Sequence, residues 1–267
     1  MATRRKRHSF TKLLLIVLAL TIFLVSCATG VNGPFASGQS EEQEPLDPDS
    51  MQYRQLQRLE RHLETGDGQG GDYHNVGVAL MYGSQGYPQD HEKAMRFLRH
   101  SAAEGNTSSL SSIGKMYEVG MGVRRDMEEA FRWYSCSAEA GQTLGYLEVG
   151  NAYYHGRVVD QSHSTAADWW RKAAERGQAE SMLNFALILA RGVGGHSQDF
   201  VRAHAWASQA VTRGVDGAET FRNQVASQMT AAQIARAQSL SQELGEAISH
   251  RIFNPDFDEF KDVRCEK

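Results

Sequence analysis

The chain has 267 residues, with 32 Asp and Glu against 28 Lys and Arg, for a formal charge of −4. Five of the basic residues (Arg4, Arg5, Lys6, Arg7 and Lys12) stand at the extreme N-terminus, and without them the charge is −9. Phosphate neutralisation needs clustered Lys and Arg, so a balance this acidic excludes nucleic acid as a partner and a basic footprint on an anionic membrane. Three cysteines, Cys27, Cys136 and Cys265, are too few for a disulfide framework.

Taken in chain order, the first segment behind the basic cluster is an apolar run from Leu13 to Val25, broken by Thr21 alone. It is too short for a bilayer-spanning helix, which needs about 20 residues. A basic start followed by a short apolar run reads as a secretory signal over residues 1–26. Its end, Leu24-Val25-Ser26-Cys27, resembles the lipobox of bacterial lipoproteins. That resemblance implies cleavage before Cys27 and lipidation of its thiol, giving an anchor of more than one acyl chain, which holds stably where a single chain does not. Ala28 and Thr29 follow, with no Asp, and the same resemblance then implies the outer membrane of the bacterial cell envelope, facing the periplasm. In an oxidising compartment Cys136 and Cys265 are able to pair, and their spacing leaves open whether they do.

Residues 27–50 are rich in Gly, Ser, Pro and acid, including Glu41, Glu42, Glu44, Asp47 and Asp49. Such a stretch buries too little apolar surface to offset its ordering entropy and reads as a flexible tether. A capping element over 51–71 follows, with a helix that starts near Ser50, carries Tyr53, Leu56, Leu59 and Leu63 on one face, and ends near Gly66.

Residues 72–215 are periodic. Gly105, Gly141, Gly177 and Gly214 recur at spacings of 36, 36 and 37. Eight positions before them stand Phe97, Trp133, Trp169 and Trp206; eleven before stand Ala94, Ala130, Ala166 and Ala203. These offsets define one helical stripe, closed by a Gly suited to a left-handed cap. A second small-residue column, Gly77, Gly114, Gly150 and Ala186, marks a preceding helix that approaches its partner closely, and Gly83, Gly120, Gly156 and Gly192 end it. Residues 216–248 then read as capping helices, one from Ala218 to Met229 and one from Thr230 through Leu244. Residues 249–267 form a mixed tail.

The string from Ile113 to Asp126 with Ala130-Phe131-Arg132-Trp133-Tyr134, and the string Trp169-Trp170-Arg171-Lys172-Ala173-Ala174-Glu175-Arg176-Gly177, resemble the Sel-1-like repeat. The resemblance implies an all-α protein, a right-handed α/α solenoid of about four helix-turn-helix repeats with helical caps at both ends. Departures are Leu80 and Leu189, where the family prefers Tyr, and Val159-Asp160-Gln161 in the third loop.

Little in the chain points to catalysis, a cofactor or a metal. Ser112-Ile113-Gly114-Lys115 matches the Ser-x-x-Lys of penicillin-recognising enzymes, but the companion Ser-Asp-Asn and Lys-Thr-Gly elements do not occur. The histidine pairs 155/163 and 196/204 lack metal-ligand spacing. The expectation is therefore a non-enzymatic adaptor without cofactor, binding a protein or peptide on the concave face formed by the first helices. Tyr82, Lys115, Glu148, His155 and Arg191 vary along the otherwise regular column and are the expected contacts. The alternative is a peptidoglycan-directed binder or penicillin-type hydrolase.

Overall fold

Turn chemistry decides where each repeat's helices start and stop. The computed structural model describes residues 47, 50–65 and 70–253. Among them are eleven helices and no strand: α1 (Met51–Thr65), α2 (Gly70–Tyr82), α3 (His91–Ala103), α4 (Ser108–Val119), α5 (Met127–Glu139), α6 (Thr143–His155), α7 (His163–Glu175), α8 (Ala179–Arg191), α9 (Phe200–Thr212), α10 (Ala218–Ala226) and α11 (Ala231–Phe253). All belong to one unit, Glu44–Lys267. The expected signal at 1–26, the lipidated Cys27, most of the tether, and the tail beyond Phe253 with Cys265 lie outside the described residues. No described helix is long and apolar enough to cross a membrane.

The second helix of each repeat (α3, α5, α7, α9) starts behind Asp90, Asp126, Ser162 or Asp199. Each is extended, and its side chain accepts from an amide in the first turn. The same four helices end on a bond from two residues past the cap: Asn106 N to Ser101 O at 2.9 Å, Gln142 N to Ser137 O at 3.0 Å, Gln178 N to Ala173 O at 3.0 Å and Val215 N to Ala210 O at 3.1 Å. The glycine between has φ of 85°, 78°, 92° and 73°, which L side chains rarely adopt. A further clamp ties each inner loop: Gln89, Arg125, Gln161 and Gln198 reach back from just before the N-cap to carbonyls of Met81, Glu118, Tyr154 and Ala190. The third loop, aberrant as a string, thus keeps the clamp through Gln161.

Within a repeat, the small-residue column of the first helix sits under a bulky side chain of the second. A Cβ added at Gly77 would lie 2.9 Å from Leu98 Cγ, at Gly114 2.8 Å from Tyr134 Cε1, and at Gly150 2.6 Å from Trp170 Cδ1. Ala186 and Ala207 hold the corresponding positions of the fourth repeat, both fully buried. The aromatic column expected from the spacing is core at Phe97, Trp133 and Trp206. Trp169 is the exception: it is half-buried and stacks on Tyr146 with ring centroids 5.6 Å apart, while its neighbour Trp170 fills the core.

The ends are covered. Leu56 and Leu59 of α1 join the first core cluster, and Ala218, Val225 and Ile248 of α10 and α11 join the last. Helix α11 continues past Leu244 to Phe253, because Ile248 extends the stripe of Ala237, Leu240 and Leu244 and is itself buried.

Gly150→Ala is expected to lower unfolding stability by about 1–3 kcal/mol through overpacking against Trp170. Gly105→Ala meets nothing within 4 Å and loses about 1 kcal/mol from its backbone conformation alone. Urea titration of the two variants checks the order.

Candidate functional site

The first helices α2, α4, α6 and α8 carry the five expected contact residues. All five are solvent-accessible: Tyr82, His155 and Arg191 are exposed, and Lys115 and Glu148 are half-buried. The structure gathers them into two groups.

The first group forms around α4 and α6. Tyr134, on α5, is itself buried, but it passes over Gly114, and its hydroxyl donates to Glu118 Oε2 at 3.0 Å. The glycine column therefore does more than bring helices together, because it lets a second-helix side chain reach the first-helix face. Lys115 Nζ binds the same oxygen of Glu118 at 2.9 Å. Glu148 receives a bond from Asn151 Nδ2 at 3.0 Å. Tyr82 acts electrostatically on both Lys115 and Tyr134, and Glu180 on Glu148.

These contacts set the charge states. The hydrogen bond to Glu118 holds the Lys115 ammonium above its ordinary pKa, against partial burial. Burial alone would push Glu118 up, but bonds from Lys115 and Tyr134 and the charges of Lys115 and Arg157 bring it below the usual carboxylate value. Glu148 goes the other way: burial raises its pKa, Asn151 offsets part of that, and the Glu118 charge adds to the rise. Tyr134 is pushed far up by burial and by the Glu118 and Glu148 charges. Ser112 gains no base from this arrangement, because its candidate partner Lys115 is held as a cation.

The second group lies at the C-terminal ends of α6 and α8. Arg191 donates from a guanidinium nitrogen to the Tyr154 hydroxyl at 2.8 Å. His155 sets its ring edge-on to Tyr154, centroids 5.1 Å apart, and His163 approaches Tyr154 at 5.0 Å. Arg191 has no carboxylate partner among the described residues. No group of three or more His, Cys, Asp or Glu among the described residues is placed to hold a metal ion. Cys136 is disulfide-bonded; the chain's other cysteines, Cys27 and Cys265, lie outside the described residues.

Sequence reasoning missed Glu118, Tyr134 and Tyr154. Glu118 and Tyr154 each stand four residues after the small-residue column, at Gly114 and Gly150, and Tyr134 is the bulky residue over the first of them. The i+4 neighbour of each column glycine was therefore the available signal.

Comparison with known proteins follows the periodicity. The Sel1 repeat family model matches residues 73–106, 108–142, 144–178 and 179–215. Among solved structures the chain is similar to a protective antigen present in uropathogenic Escherichia coli strains and displaying an SLR fold. That match has a TM-score of 0.64 and 25% identity, over 78% of this chain and 45% of that one. It is also similar to a Sel1 repeat protein from Oxalobacter formigenes, with a TM-score of 0.56 and 27% identity over 64% of this chain and 48% of that one. The chain therefore spans about half the length of these solved structures. Among curated proteins, no sequence match was found.

Because the folded protein raises the Glu148 pKa, it favours the protonated form, so Glu148 costs stability once pH rises through its folded pKa. Glu148→Gln, which mimics that form, is expected to melt higher than the parent at pH 7. The gain should shrink with falling pH and vanish below the ordinary value of 4.5. Thermal melts from pH 4 to pH 8 check the sign.

Proposed function

The chain belongs to the Sel1 repeat family, and from that premise we propose that it is a lipid-anchored adaptor of the bacterial envelope, binding a protein or peptide along the concave face lined by its first helices. Proteins of this family act as scaffolds for protein–protein interaction and are typically non-catalytic. The observation that carries the reading is the contrast between a backbone repeated four times with the same caps and clamps and a first-helix face whose exposed residues change at every step. Tyr82 and Val119 leave 54% and 48% of their surface to solvent in the same register as His155 and Arg191. Exposed aromatics and arginines are residue types that anchor protein interfaces.

The lipid anchor rests on the basic start, the apolar run and Leu24-Val25-Ser26-Cys27. Confinement at a membrane by the anchor, with reach supplied by the acidic segment, would raise the effective concentration of adaptor and partner. The ion pair of Lys115 with Glu118 counts against the penicillin-type alternative, because a lysine held as a cation is not a base for Ser112.

Crosslinking of the native protein in its envelope, read by mass spectrometry, tests the reading. A partner captured by the parent should be lost in a chain carrying Lys115→Glu, Glu148→Lys and Arg191→Glu together; equal capture by both would overturn the assignment to this face. Cys27→Ser is expected to move the protein from the membrane fraction to the soluble one, and unchanged fractionation would remove the lipid anchor from the proposal.

A further inference from the structure

The last helix carries the chain back along the array. Gln209 of α9, in the fourth repeat, donates to Ser241 O of α11 at 2.6 Å. Further along α11, Arg251 reaches Glu175 at the end of α7, in the third repeat, at 3.2 Å. One repeat further back, near the end of α5, stands Cys136, which is disulfide-bonded. The chain offers Cys27 and Cys265 as its partners. On the lipid-anchor reading the Cys27 sulfur carries lipid, which leaves Cys265, and that step rests on the proposed function.

Between Glu175 and Cys136 lies an aromatic floor with cations on it. Next to Glu175, Arg176 sets its guanidinium over Tyr146 at 5.2 Å, and Lys172 sets its ammonium over Trp169 at 4.5 Å. The two rings stack with centroids 5.6 Å apart. Tyr146 shares a core cluster with Ala138 of α5 and Ala173 of α7, and Gly145 lies so close to α5 that a Cβ there would meet Ala138 N. Packing is thus continuous from α7 to the end of α5 that carries Cys136. The nearby carboxylates are engaged: Asp168 by Arg171, and Glu175 by Arg171 and Arg251. Residues 254–267 bring the complementary chemistry, with Asp256, Asp258, Glu259 and Asp262 interleaved with Phe257 and Phe260. The stretch from Phe253 to Cys265 reaches about 40 Å when extended, against the ~8–10 Å between packed helices.

We propose that residues 254–267 run back from α11 over Trp169, Lys172 and Arg176 as an acidic, phenylalanine-bearing strap, fastened by a bond from Cys265 to Cys136. Closing it joins the two Sγ atoms, and the two protons and two electrons released pass to a disulfide-bearing oxidant by thiol–disulfide exchange. The strap ties the C-terminal cap to the second repeat. A solenoid, in which each repeat touches only its neighbours, otherwise lacks such a link.

Tryptic mapping without reductant, on the full chain purified from its envelope in detergent with free thiols blocked, reads the bond. The expected product joins the peptide of residues 133–157, which contains Cys136, to residues 265–267. A bond from Cys136 to Cys27 would overturn the strap and the lipid anchor together. A free Cys136 thiol, or a bond to a second copy, in a chain lipidated at Cys27 would overturn the strap and leave the anchor standing. Docking is read separately, from the equilibrium of the bond in a glutathione redox buffer. One variant carries Lys172→Gln with Arg176→Gln; the other carries Asp256→Asn, Asp258→Asn, Glu259→Gln and Asp262→Asn, and leaves the helical array untouched. Each should lower the effective concentration of Cys265 at Cys136 about fivefold, the scale of two exposed ion pairs. An unchanged value in both would overturn the docking on this floor.

Discussion

Each of the first three repeats is organised around one steric fit, a glycine on the first helix beneath a large residue on the second, and the fourth packs Ala186 and Ala207 at the same positions. The large residue grows from Leu98 to Tyr134 to Trp170, and the place beneath each is Gly, with no Cβ to spare. Interiors are packed to crystal-like density, so a fit of this kind fixes the distance and rotation between the two helices instead of merely favouring their contact. Once the pair is fixed, the loop between its helices has little freedom, and the N-cap and the back-reaching Gln or Arg clamp can recur in all four units. Stacked pairs then bury successive core clusters along the array, and the helices at either end join the first and the last of them.

The same fit writes the chemistry of the exposed face. Tyr134 reaches Glu118 because nothing at Gly114 stands in its way. Glu118 in turn takes Lys115, whose charge also acts on Glu148. In the next repeat Trp170 replaces the tyrosine and lies 5.0 Å from Tyr154, whose hydroxyl is left for Arg191.

Much of this was legible in the sequence because repetition amplifies weak signals. A single Gly at the end of a helix says little; four at spacings of 36, 36 and 37 identify a cap. The paired glycine columns and the helical pair they mark in each repeat were legible for that reason. What repetition hid was the exception. Trp169 shares the register of the buried Phe97, Trp133 and Trp206, yet it is only half-buried and stacks on Tyr146. Val158 adopts φ of 69° where two of the other loops have Gly122 and Gly194. A β-branched residue there stores about 1–3 kcal/mol of strain, and only the alignment of all four loops reveals the position as left-handed. Of the five expected contacts, the column supplied the positions but not the grouping. Glu118 joins Lys115 within α4, but the bonds from Tyr134 to Glu118 and from Arg191 to Tyr154 cross between helices, and no spacing within one helix encodes those two.

The proposed adaptor role reserves the first helices of this regular two-helix scaffold for a partner. Hydrogen exchange of the full chain, alone and bound to its crosslinked partner, addresses it most directly, since it reads every helix at once. Added protection is expected in α4, α6 and α8, with α5, α7 and α9 unchanged. Protection concentrated in the second helices would contradict it and move the binding surface to the opposite side of the array.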